Sequence, residues 1–68
     1  MTKTNVSLDR LAYSLPAFAV AVDVSLDLVR RHIKNGKLVA SYVDTKPVIM
    51  QEEGLRWLRS LPSERASA

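Results

Sequence analysis

Apolar residues recur along this chain at two different spacings, and the changes of spacing divide it into elements. From Leu26 onward, Leu26, Val29 and Ile33 fall three and four positions apart, which lines one side of an α-helix. Ser25 stands just ahead of the run as an N-cap and Gly36 just behind it as a left-handed C-cap, so a helix is predicted from Leu26 to about Asn35. Upstream, Ser14 is a candidate N-cap for a shorter helix reaching about Val22, with Pro16 in its first turn and Phe18, Ala19 and Val22 on one side. Asp23 and Val24 break the two helices apart. Leu38–Val43 and Val48–Met50 are short β-branched and apolar runs, and Asp44, Thr45, Lys46 and Pro47 between them read as the polar tip of a two-stranded hairpin. A last helix is expected from about Gln51 to Ser60. It has Glu52 and Glu53 at its positive end, Gly54, Trp57, Leu58 and Leu61 on one side, and Pro62 as the stop. Ahead of all these, Leu8, Leu11, Ala12 and Leu15 fall at helical spacing behind Ser7 as an N-cap, while Tyr13–Leu15 reads equally well as a short extended segment. Met1–Asn5 and Ser63–Ala68 lack periodicity and read as tails.

Helix, tight turn, helix, hairpin, helix is the layout of a winged helix-turn-helix. The expected fold is therefore mainly α with a small β-hairpin, with residues 1–12 as an N-terminal extension, 13–61 as the domain and 62–68 as a flexible tail.

Composition narrows the chemistry. The 68 residues suffice for one small core. There is no cysteine and a single histidine, so disulfides and thiolate zinc are excluded and His32 cannot make a metal site alone. No cofactor is expected. The longest charge-free stretch, Leu11–Val22, contains Pro16 and is too short for a membrane span, and the N-terminus does not read as a signal peptide, so a cytoplasmic location is expected. None of the serines, threonines, tyrosines or lysines sits in a nucleophile elbow or phosphate loop, and an enzyme is not expected. Glu52 and Glu53 diverge on a helix, and their charge at a helix N-terminus explains them better than an acid–base pair would.

Charge placement is more informative than the net charge of +3. Arg30, Arg31, Lys34 and Lys37 fall within eight residues with no acid among them. If Leu26, Val29 and Ile33 face the core, then Asp27, Leu28, Arg31 and Lys34 face away, with Arg30 at the flank. A basic outer face on a helix is often merely solvated. Behind a short turn and ahead of a hairpin, however, such a helix is the element that enters a major groove.

Those same residues carry a resemblance. Residues 13–61, about 70% of the chain, resemble the small excisionase family, the recombination directionality factors of phage tyrosine integrases within the MerR-like winged helices. The run Ser25-Leu26-Asp27-Leu28-Val29-Arg30-Arg31-His32-Ile33-Lys34 is similar to the excisionase recognition helix, and Gly36-Lys37-Leu38 and Trp57-Leu58 fit the broader pattern. The resemblance implies that the positions of Asp27, Leu28, Arg31 and Lys34 approach bases or phosphates while the wing reaches an adjacent minor groove. With the cap, flank and wing added, the expected DNA-binding residues are Ser25, Asp27, Leu28, Arg30, Arg31, Lys34, Lys37, Thr45 and Lys46. Expected partners are double-stranded DNA bearing attachment-site repeats, neighbouring copies arranged head to tail, and a tyrosine integrase. The sequence departs from the family in Asp23 at a turn where glycine is common, in a wing tip with only Lys46, and in residues 1–12 beyond the usual start. A small phage or plasmid transcription regulator is the alternative, followed by a protein-interaction module such as an antitoxin.

Overall fold

The computed structural model describes residues 8–63. Its elements run β1 (Ala12–Ser14), α1 (Leu15–Ala21), α2 (Leu26–Lys34), β2 (Ser41–Val43), β3 (Lys46–Met50) and α3 (Gln51–Ser60). Three helices thus accompany a three-stranded antiparallel sheet of order β1-β3-β2 among the described residues. The expected hairpin is present as β2 and β3, and β1 adds a third strand to it, so the arrangement is mixed α/β instead of mainly α.

Local chemistry sets the helix ends. Ser14 Oγ accepts from the Ala17 N–H at 3.2 Å and Ser25 Oγ from the Leu28 N–H at 3.1 Å, each satisfying one otherwise unpaired first-turn donor. Between the helices Asp23 takes φ 62, a left-handed conformation open to aspartate, and the Val24 N–H returns to Ala19 O at 2.9 Å. Gly36 at φ 77 ends α2, and the Lys37 N–H reaches back to His32 O at 2.9 Å.

The N-terminal segment differs from its helical reading. Residues 8–11 are irregular and Ala12–Ser14 are extended, because pairing with β3 decides the conformation: Tyr13 stands opposite Ile49 and Ser14 opposite Val48. Gln51 fastens this segment with its own N–H to Leu11 O at 2.9 Å and its Nε2 to Leu8 O at 2.6 Å. Leu8 lies in the core, so the folded unit includes residues assigned above to an extension. Met1–Asn5, Ser7 and residues 64–68 lie outside the described residues.

The hairpin is shifted as well. Leu38 is fully buried instead of opening a strand, and the Val39 N–H donates to Glu53 Oε2 at 2.9 Å where a strand partner would otherwise accept. The turn is Asp44-Thr45 alone, with Asp44 at φ 56 supplying the positive φ that two-residue hairpin turns need at their first position. Lys46 and Pro47 join β3. Val43 and Lys46 flank the turn as a hydrogen-bonded pair, so Tyr42 and Pro47 form a non-hydrogen-bonded pair. The N–H that proline lacks is therefore on the side away from β2, past the end of β1, where no ladder bond is lost.

Every element except the exposed β2 contributes to one core. Phe18, Val29, Leu38 and Ile49 are its most deeply buried members, joined by Leu8, Tyr13, Leu15, Ala19, Val22 and Trp57. The Phe18 ring sits 6.3 Å from Tyr13 and 5.6 Å from Trp57, both inclined to it, as aromatic quadrupoles prefer. α3 presents Gly54 and Trp57 to this core as expected. Leu61, expected beside them, is instead exposed, because the chain is extended there past the helix end.

Candidate nucleic-acid interface

Successive residues of a helix turn by about 100°. With Val29 buried and Leu26 and Ile33 half-buried, the opposite side of α2 therefore presents Asp27, Arg30, Arg31 and Lys34, all of them exposed. Arg30, Arg31 and Lys34 pair with no carboxylate among the described residues, where the one ion pair joins Glu53 and Arg56. Three free cations on one face of a single capped helix make a compact anion-attracting surface. Arg31 and Lys34 also occupy the last turn, where they oppose the negative end of the helix dipole.

The remaining candidates divide. Ser25 serves as the N-cap, leaving its hydroxyl committed to Leu28 N. Leu28, expected on the outer face, is half-buried against the core, because its position on the wheel lies on the His32 side and not among the cations. Lys37 is exposed just past Gly36, and its carbonyl accepts from Arg56 Nη2 at 3.0 Å. Thr45 and Lys46 are exposed on a separate element, one in the turn and one at the first position of β3.

Two connections hold α2 and its exit in place. The Trp57 indole N–H donates to His32 Nδ1 at 3.1 Å, with the rings edge-on at 5.3 Å. An indole N–H only donates, so the accepting Nδ1 is unprotonated and the proton of the neutral ring resides on Nε2. His32 is thus a strut between α2 and α3 as well as a boundary residue. Glu53 accepts from Arg56 Nε at 2.7 Å, while its other oxygen takes the Val39 N–H, so carboxylate and guanidinium together clasp the 37–39 segment. The Arg56 hydrogen bond, followed by that of Val39, holds the Glu53 carboxyl below the usual carboxylate range against the opposing effect of burial. The only advance signal was the spacing Glu53–Arg56, which is common on helices.

No family model, curated protein or solved structure matches the chain. No group of three or more histidine, cysteine, aspartate or glutamate side chains converges on a metal site among the described residues. No described helix is long and apolar enough to cross a membrane. What the α2 face offers is charge and hydrogen-bond donors: forked guanidinium groups that match phosphate oxygens or the O6 and N7 acceptors of guanine, and a lysine that matches either as a point charge.

Proposed function

We propose that the chain is a winged helix-turn-helix DNA-binding protein of the excisionase type, acting on cytoplasmic DNA to bend attachment-site repeats and direct integrase-mediated recombination toward excision. The observation that carries the reading is the outer face of α2, where Arg30, Arg31 and Lys34 stand exposed, without carboxylate partners among the described residues, on a helix that follows a tight turn. In this reading α1 and α2 are the helix-turn-helix, α2 enters the major groove, and the β2–β3 hairpin is the wing. Arg31 and Lys34 supply base or phosphate contacts, Arg30 and Lys37 flank them, and Asp27 bonds a cytosine amino group. One module of this size covers about 600 to 1,000 Å² of DNA, too little for tight specific binding alone, so neighbouring copies head to tail supply the remainder. Bending a 20 to 30 bp segment then takes roughly 1 to 6 kcal/mol, offset by contacts between neighbours.

Fluorescence anisotropy against DNA flanking the chain's own gene tests this. About four phosphate contacts give a log–log salt slope near −3.6, roughly a hundredfold loss of affinity from 50 to 200 mM salt. Arg31→Ala should cost about 1 to 3 kcal/mol where the residue reads a base. Binding that ignores salt, or is untouched when Arg31 and Lys34 are both replaced by alanine, rejects the proposal. Tandem repeats bound cooperatively with a bend favour excision. A single straight operator favours a transcription regulator.

A further inference from the structure

We propose that the groove between the end of α2 and the C-terminal half of α3 holds one phosphate of the DNA backbone, bound by the His32 Nε2–H, the Lys37 ammonium and the Arg56 guanidinium. This deepens the DNA-binding reading of α2 and rests on it. The groove measures about 530 Å³ and is open to solvent; His32, Lys37 and Arg56 line it together with Val39, Leu61 and Pro62. Two hydrogen bonds set its position. Trp57 Nε1 to His32 Nδ1 at 3.1 Å and Arg56 Nη2 to the Lys37 carbonyl at 3.0 Å bring α3 against the last turns of α2 and its exit. On α2 itself His32 follows Arg31 by one position, about 100° around the helix. The groove therefore borders the cationic face along its Arg31 side.

Each of the three donors retains N–H groups without a partner among the described residues. With Nδ1 accepting from Trp57, the neutral His32 ring has its proton on Nε2, away from the indole, and Nε2 makes no hydrogen bond there. Arg56 commits Nε and Nη2 to Glu53 and the Lys37 carbonyl, which leaves both N–H groups of Nη1. Lys37 is exposed and pairs with no carboxylate among the described residues. Glu53 is held by Arg56 and the Val39 N–H, and no carboxylate is among the described residues lining the groove. A neutral imidazole of fixed tautomer, a spare guanidinium edge and an ammonium, with no acid facing them, are donors matched to phosphate oxygens.

Two further features favour a backbone phosphate over other anions. Part of the wall is apolar, with Val39 and Leu61 both exposed, and a backbone phosphate brings deoxyribose C–H groups to cover it, whereas a free inorganic anion would leave it bare. The groove is also continuous with the face that enters the DNA in this reading. A helix seated in a major groove has the phosphates of the groove wall along its flanks, and contacts there fix orientation without reading sequence. The α3 side of the groove is thus a second wall contact, set by the same bonds that hold α2 in place.

The test uses the full chain, a DNA site bound by the wild type, and copies of that site in which a methylphosphonate removes the charge of one phosphate at a time. His32→Asn keeps an oxygen where Nδ1 accepts from Trp57 but falls short of the Nε2 position; it should bind natural DNA about fivefold more weakly with an unchanged salt slope, since no charge is lost. Lys37→Ala should weaken binding by a similar factor and make the slope shallower by about 0.9. One methylphosphonate flanking the α2 site should weaken the wild type about fivefold or more and cost both variants little further, because the contact it removes is already gone. A purely structural His32 would instead weaken binding to every DNA alike. If both variants bind within twofold of wild type, or their losses add to that of every methylphosphonate, the groove holds no phosphate while the role of α2 stands, provided the Arg31 and Lys34 variants still fail to bind. Loss of binding to an acidic peptide in place of DNA would likewise reject it in favour of a protein partner. A wild type that binds no DNA overturns both.

Discussion

Replacing Gly54 by alanine sets two effects against each other, and the structure decides their sign. In the middle of an exposed helix the change would stabilise by about 1 kcal/mol through helix propensity. Gly54, however, is buried at the point where α3 crosses the core, and a Cβ there would lie 2.9 Å from Phe18 Cε1 and 3.0 Å from Leu8 Cδ1. Leu8 can yield, since the methyl is the end of a flexible side chain. Phe18 cannot yield easily: it is fully buried between Tyr13 and Trp57. Overpacking a core in this way costs about 1 to 3 kcal/mol. The balance is a net destabilisation of about 1 kcal/mol, which in a domain of this size lowers the melting temperature by about 4 to 8 °C. Urea denaturation followed by far-ultraviolet circular dichroism reads it as a lower midpoint with unchanged slope. A variant as stable as the wild type refutes the reasoning. The same comparison in a Phe18→Leu background identifies the obstacle, because the penalty should largely disappear there and strict additivity would exonerate the ring.

Three further outcomes are expected. Gly36→Ala meets nothing within 4 Å but must hold φ 77, so it should destabilise by about 1 to 2 kcal/mol, with Gly36→Asn milder; equal thermal melts for all three would contradict this. Trp57→Phe removes the donor to His32 Nδ1 and part of a buried ring, and a loss of at least about 1 kcal/mol in chemical denaturation is expected, against no loss if the contact is idle. Glu53 has a folded-state pKa below its unfolded value, so its contribution to stability is present above the ordinary carboxylate range near pH 4 and is lost as pH falls through the depressed value. The stability gap between wild type and Glu53→Gln should accordingly close on acidification, and a gap that widens would reverse the sign.

What the sequence disclosed follows from how local each signal is. Ser14, Ser25 and Gly36 act on backbone groups within four residues of themselves, so the two helices of the turn could be placed to within about a residue. β1 could not, because Ala12–Ser14 is extended only by virtue of β3, far along the chain. Pro47 misled for a related reason: it reads as a turn residue unless one knows that β1 ends before reaching it. In the candidate interface the cations of α2 were legible from helical periodicity. Leu28 was assigned to the wrong side because three core positions define the centre of a helix face but not its width, and the burial extends far enough toward His32 to include it.

The sheet order has a bearing on biosynthesis. β1 precedes both helices of the turn and β3 follows them, so the strand that completes β1 is among the last parts of the chain to be made. Leu38, Ile49 and Trp57, which close over Phe18 and Val29, also come after α2. α1 and α2, too short to persist alone, must therefore wait for the C-terminal third before they acquire a fixed shape. A nonsense codon or proteolytic cut between α2 and α3 would not leave a feebler version of the protein; it would leave a basic peptide without structure. A cell that trims this one stretch of chain would silence the whole molecule at once.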